Sequence, residues 1–224
     1  MHFAGMKFLG ILYILLSLPS WAHEFPASWW EPIPRESSAS WEVLPQDAKE
    51  GEVILSKRTE LGIFSNFGAT PFTLDGLFFG SIEGLWQSLK YPDPSIKEDL
   101  RHRIDGWKYS RQEVALMVGR EAKQAGNEAN AIYRTYKLTQ INWLGQFFDY
   151  VDHASGSEYH YKLIKRAIKA KLDQNPGLWD LLLQTKCLKL RSDHLAGPNE
   201  PPSFRYFEIL MVLREERQGH FCKI

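Results

Sequence analysis

Three residues carry most of the chemistry in this chain: Glu83, Gln87 and Lys90, an acid, an amide and an amine spaced four and then three residues apart. On an α-helix that spacing stacks them on one face. A carboxyl group withdrawn from water is a candidate general acid or base, and a lysine that loses its proton is a candidate nucleophile. The same spacing also describes a solvated helix face on which Glu83 and Lys90 never touch, so residue types alone leave both readings open.

The elements that must position these residues are signalled locally. Asp75-Gly76 separates Thr73-Leu74 from Leu77-Phe78-Phe79, the pattern of a two-residue hairpin turn, because glycine accepts a positive φ without steric cost. Ser81 offers an N-cap oxygen to the helix bearing Glu83, and Pro92 and Pro94 stop it. Upstream, residues 52–58 read as a strand that brings Lys57 and Arg58 beside the site, as phosphate ligands or as solvated strand-end charges. Downstream, Ser95 with Glu98 and Ser110 with Glu113 have capping-box spacing, and the second of these helices is expected to end near Gly119-Arg120. Residues 127–143 favour helix, and 145–156 read as a loop rich in aromatics and Asp. A longer helix over 157–173 carries Ile164, Ile168 and Leu172 on one face and Lys162, Lys165, Arg166 and Lys169 around the other. Asn175-Pro176 reads as the start of a further helix, Cys187 to Arg191 have strand character, and Ser203 is expected to cap a last amphipathic helix.

The 224 residues suffice for one good core, and 27 basic against 27 acidic side chains give no global field to attract nucleic acid or an anionic membrane. An anionic ligand must therefore be held by local charges. Lys7 precedes an apolar run from Phe8 to Leu18, followed by Pro19 and Ser20-Trp21-Ala22, which predicts a secretory signal peptide over 1–22, no membrane span after its cleavage, and an exported, periplasmic or secreted, protein. Residues 23–50 form an irregular arm rich in Trp and Pro, whose tryptophans either cover apolar surface or form a platform for a sugar or base. The folded domain is expected over 51–218, with a tail at 219–224. Cys187 and Cys222 allow one pairing, and the sequence leaves a disulfide and two separate thiols equally open. No phosphate loop, dinucleotide fingerprint, nucleophile elbow or zinc motif is present; His102, His153, His160 and His194 lack metal-ligand spacing, and neither a metal nor a cofactor is expected.

The motifs above resemble the NADAR, or YbiA-like, domain family. The resemblance rests on Phe64-Ser65-Asn66-Phe67, Pro71, the Asp75-Gly76 hairpin, and Ser81, Glu83, Gln87 and Lys90, with Tyr91 in place of a Phe. Val114-Ala115, Gly119-Arg120, Lys171, Gln174, Leu178 to Thr185 and Leu210-Met211 with Leu213-Arg214 follow in the family's order, so the similarity spans roughly residues 52–216. It implies a single compact α+β domain, predominantly α-helical with a small β-hairpin or sheet, that cleaves the bond between ribose and a nitrogen base. Its substrate would be a ribosylamine or an ADP-ribosyl group, with nucleic acid met only as an ADP-ribosylated substrate. Glu83 and Lys90 are carried over as catalytic residues, with Asn66, Phe67, Gln87 and Arg120 as pocket members.

Two departures from the family pattern bear on function. Gly84 stands where a His usually follows the acid, and Arg191-Ser192-Asp193-His194 with a Pro-rich turn replaces an acidic stretch, leaving Asp193 as the candidate displaced acid. These departures motivate an alternative, a non-catalytic module that binds a nucleotide or ADP-ribose, or a protein partner, on the same fold.

Overall fold

Val53, Ile54 and Leu55 are completely buried, and they anchor the centre of the molecule through β1 (Glu52–Ile54). The computed structural model describes residues 25–150, 157–195, 197 and 199–222. The signal peptide expected over 1–22, the His23 start of the arm, and His153 and Gly156 of the expected loop lie outside the described residues. β1 pairs in parallel with β6 (Lys189–Arg191), with Val53 opposite Leu190. Two antiparallel hairpins complete the β-ladders among the described residues: β2 (Phe72–Leu74) with β3 (Leu77–Phe79), and β4 (Gln140–Trp143) with β5 (Gln146–Asp149). The first has the expected turn, with positive φ at both Asp75 and Gly76.

Among the described residues six α-helices surround these pairs: α1 (Ile82–Ser88), α2 (Arg111–Leu116), α3 (Gly119–Tyr136), α4 (Ser157–Gln174), α5 (Leu178–Gln184) and α6 (Tyr206–Gln218). Every residue of α1 is buried, so the helix runs through the core with α2 and α3 against it. Two glycines make that approach possible. A Cβ on Gly84 would sit 2.5 Å from Met117 O and 2.7 Å from Ala115 O, and one on Gly80 would sit 2.2 Å from Leu116 O. A side chain at position 84 would therefore collide with the backbone of Ala115 in α2 and of Met117 just beyond it, which leaves room only for glycine. Among the described residues no helix is long and apolar enough to cross a membrane.

Several local expectations are corrected. Ser95 bonds Asp93 through its amide and hydroxyl instead of capping a helix with Glu98. Ser110 and Glu113 do form a capping box, but α2 ends at Leu116, and Gly119, at φ +55°, opens α3 instead of closing α2. The helix expected over 127–143 gives way at Tyr136 to β4, and part of the expected loop at 145–156 is β5, turned by Leu144-Gly145 with positive φ at both positions. Asn175 bonds back to Lys171 O at the end of α4, while α5 starts after Gly177. Ser203 lies in a 3-10 turn, and Arg205 is the residue before α6. Cys187 and Cys222 are joined in a disulfide that ties the tail after α6 to the segment entering β6.

Candidate active site

The Phe64–Phe67 turn and α1 are built as one unit. Ser81 Oγ accepts from Gly84 N at 2.9 Å and donates to Met117 O at 2.9 Å, while Glu83 N donates to Asn66 O at 2.9 Å. Two of the free amides at the helix start are thereby satisfied, and the turn is fixed against Glu83. From the other side, Lys171 Nζ, on α4, donates to Ile63 O at 2.8 Å and Ser65 O at 3.0 Å.

Glu83 is 6% exposed and Gln87 3%. Gln87 Nε2 donates to Glu83 Oε1 at 2.7 Å, and Lys90 Nζ donates to Gln87 Oε1 at 2.8 Å, giving a carboxyl–amide–amine relay. The Lys90 bond fixes the orientation of the amide, so that its NH₂ faces the acid. Lys90 lies just past the end of α1, in a tight turn whose amides from Lys90 and Tyr91 bond back to Gln87 and Ser88. The carbonyls at that end are taken by buried side chains: Arg101 Nη1 donates to Leu89 O, the Tyr133 hydroxyl to Lys90 O and Arg111 Nη1 to Tyr91 O. Arg101 is in turn paired with Asp99.

Burial raises the Glu83 carboxyl above the usual carboxylate range, against the lowering effects of Gln87, Lys123, Lys90 and Lys57. Burial, and then the charge of Lys123, lowers Lys90 to about 7. Its Nζ lies 4.4 Å from the centre of the Tyr150 ring. The relay thus joins an acid inclined to hold its proton and an amine inclined to lose one, the two states that protonation of a leaving group and nucleophilic attack require.

An open cleft of about 600 Å³ gives access to this relay. Its walls include Asn66 and Phe67 from the first turn, Glu83, Trp86 and Gln87 from α1, and Arg120 and Lys123 from α3, with Lys57, Tyr150, His194 and Phe204 closing the far side. The expected pocket members Asn66, Phe67, Gln87 and Arg120 therefore come together with Glu83. Lys90 does not line the cleft; it lies one layer back, in contact with Gln87 and Tyr150, which do. Asp193 is also set back. It is 2% exposed and accepts from Lys57 Nζ and, at 3.1 Å, from His194 Nδ1. Burial would raise its carboxyl, but the bonds from His194 and Lys57 outweigh that and hold it below the usual range, as the anchor of two cleft residues. Arg58 is turned away, held by the Glu42 carboxylate at 2.7 and 2.8 Å and by Ser37 O, so Lys57 is the residue of that pair in the cleft.

Asn66 Oδ1 and Trp86 Nε1 are buried and lack a hydrogen-bond partner among the described residues, although both side chains line the cleft. An acceptor and a donor are thus available to a polar ligand. Lys123 was legible in principle, lying one turn beyond Arg120 on α3. Tyr150, His194 and Phe204 arrive through tertiary contacts that leave no local pattern.

The fold and cleft define a small α+β protein with a buried acid–amide–amine relay at the wall of a largely apolar pocket that bears the cations Lys57, Arg120 and Lys123. The chain is 26% identical over 167 residues to the N-glycosidase YbiA of Shigella boydii serotype 4 (strain Sb227), an alignment covering 72% of this chain and 84% of that relative. The NMR structure of the E. coli protein YbiA covers 84% of this chain and 94% of that chain, at 21% identity and a TM-score of 0.43. No protein-family model matches the sequence. The ordered motifs and the curated relative together support assignment of the chain to the YbiA-like, or NADAR, family.

Proposed function

We propose that the protein is an N-glycosidase that cleaves a ribose–nitrogen bond in an ADP-ribosyl or ribosylamine substrate. The observation that carries this reading is Glu83, a carboxyl nearly withdrawn from water yet on the cleft wall, biased by burial toward its protonated form. Lys57, Arg120 and Lys123 provide local positive charge for a phosphate in a chain with no net charge. Asn66 Oδ1 and Trp86 Nε1 suit sugar hydroxyls.

In the proposed sequence the lone pair of the leaving nitrogen forms a C1=N bond as the C1–O bond of the ring breaks, and the ring oxygen takes the Glu83 proton. The neutral Lys90 amine adds to C1, and the Glu83 carboxylate takes a proton from the resulting ammonium. Glu83 then gives that proton to the leaving nitrogen as the C1–N bond breaks, its electron pair passing to the nitrogen while the Lys90 lone pair forms the imine. Water adds to the imine carbon with loss of a proton to Glu83, the amine departs with a proton, and the freed sugar hydroxyl closes on C1. This route requires Lys90 Nζ to give up its bond to Gln87 and reach the cleft past Gln87 or Tyr150, which line it. Purified protein incubated with ADP-ribosylated guanosine is expected to release guanosine seen by chromatography, and borohydride during turnover is expected to add the mass of the ADP-ribosyl group at Lys90. Absence of guanosine release above a Glu83→Gln background would overturn the reading.

A second reading, a pocket that binds ADP-ribose without turning it over, is favoured by one observation, the withdrawal of Lys90 behind the cleft surface. Measurable binding with no release of base is its signature. The Cys187–Cys222 disulfide supports an oxidising compartment and hence export, as the sequence of residues 1–22 suggests. Mature protein beginning near His23 in a secreted or periplasmic fraction is the expected result.

A further inference from the structure

The tryptophans of the N-terminal arm divide into two kinds. Trp29 is fully buried and donates from its indole to Glu60 at 2.6 Å, and Trp30 packs on the core and donates to Glu52 O at 3.0 Å. These two cover apolar surface. Trp41 does not: it is 57% exposed, packs in neither hydrophobic cluster and stacks on no ring among the described residues, yet it lines the cleft.

Its backbone is nevertheless held firmly. Glu42 forms an antiparallel bridge with His194, Val43 N donates to Asp193 O at 2.9 Å, and the Glu42 carboxylate accepts from Arg58 Nε and Nη2. Since Asp193 also holds Lys57 and His194, the segment that presents Trp41 is tied directly to the cleft wall. Leaving a large indole in water is unfavourable, whereas a ring presented by a fixed backbone has little conformational entropy left to lose on stacking.

We propose that Trp41 is a specificity-determining residue that stacks on the planar adenine-type base at the phosphate-linked end of an ADP-ribosyl substrate, and not on the group released at C1. The inference rests on the N-glycosidase reading and adds to it a substrate layout: sugar toward Glu83, phosphate among Lys57, Arg120 and Lys123, and base against Trp41.

The test uses calorimetric titration of the full chain with two probes, ADP-ribose and ribose 5-phosphate, the second lacking a base. Trp41→Ala is expected to weaken ADP-ribose about 5- to 100-fold, the range of a lost base–aromatic stack. Trp41→Phe is expected to retain most of that affinity, and ribose 5-phosphate is expected to bind all three proteins alike. Unchanged ADP-ribose affinity in Trp41→Ala, with loss in Lys123→Ala, would overturn the role of Trp41 and leave the site intact. Equal weakening of both probes by Trp41→Ala would also overturn it, by showing a role in holding the arm. Failure of the unaltered protein to bind either probe would overturn the site reading and this inference together.

Discussion

Gly126 on α3 lies so close to Gln87 on α1 that a Cβ at Gly126 would fall 1.9 Å from Gln87 Oε1. That oxygen is the atom through which Lys90 orients the amide toward Glu83. The missing side chain on one helix is therefore what allows the relay on its neighbour.

Gly126→Ala tests this relationship. The atom in the way belongs to a side chain, so Gln87 rotates away and the helices need not separate. Activity is expected to fall about 10- to 100-fold through misplacement of the acid, while stability changes by less than about 1 kcal/mol, since alanine gains helix propensity as the buried bond is lost. Assay of base release alongside denaturant unfolding checks both halves. Full activity in a stable variant would show that the relay does not govern the reaction.

The opposite leanings of Glu83 and Lys90 set a pH profile. Attack needs the neutral amine, so rate rises as pH passes about 7, where Lys90 loses its proton. Departure of the base needs protonated Glu83, so rate falls again once that carboxyl ionises. A bell-shaped profile whose limbs belong to the coupled pair is expected. Lys123 lowers Lys90, so Lys123→Met is expected to move the rising limb to higher pH. A rising limb that stays in place would separate Lys90 from the rate.

Gly84→Ala addresses stability alone. At an exposed helical position the change would stabilise by about 1 kcal/mol. Here the new Cβ meets Met117 O and Ala115 O, backbone atoms with no rotamer to yield, and a loss of about 2–3 kcal/mol is expected. Equilibrium unfolding in urea measures it, and a neutral or stabilising result would contradict the packing explanation for this departure from the family.

What the sequence disclosed follows the range of the forces involved. The Asp75-Gly76 turn, the Ser81 cap and the Ser110–Glu113 box depend on neighbours within a few residues, and each could be read directly. Gly119 misled because a positive-φ glycine more often closes a helix than opens one, and Leu144-Gly145 turns a hairpin without the usual Asn or Asp. At the site, Glu83 and Gln87 followed from helical spacing. Arg58 and Asp193 were placed in the pocket because their partners, Glu42 for the first and Lys57 with His194 for the second, are long-range and leave no periodic trace. Trp41 differs from Trp29 only in what the fold sets beside it.

Lys171 links stability to the site. It is 1% exposed, with no carboxylate bonded to it among the described residues, and its amine holds the turn that carries Asn66 through two carbonyls. Burial lowers it to about 7. Between that value and the ordinary lysine range the unfolded chain binds the extra proton, so the contribution of a neutral Lys171 to stability grows as pH rises from about 7 toward about 10, and is lost as pH falls. Lys90 contributes with the same sign. Lys171→Met leaves both carbonyls unpaired and is expected to cost about 2–4 kcal/mol at about pH 9. The gap between variant and unaltered protein should narrow toward about pH 6, where charging the buried amine destabilises only the latter. Unfolding curves for both proteins across that range isolate Lys171 from every other titrating group. A gap constant with pH would mean that the Ile63 and Ser65 carbonyls alone keep the amine charged in the fold.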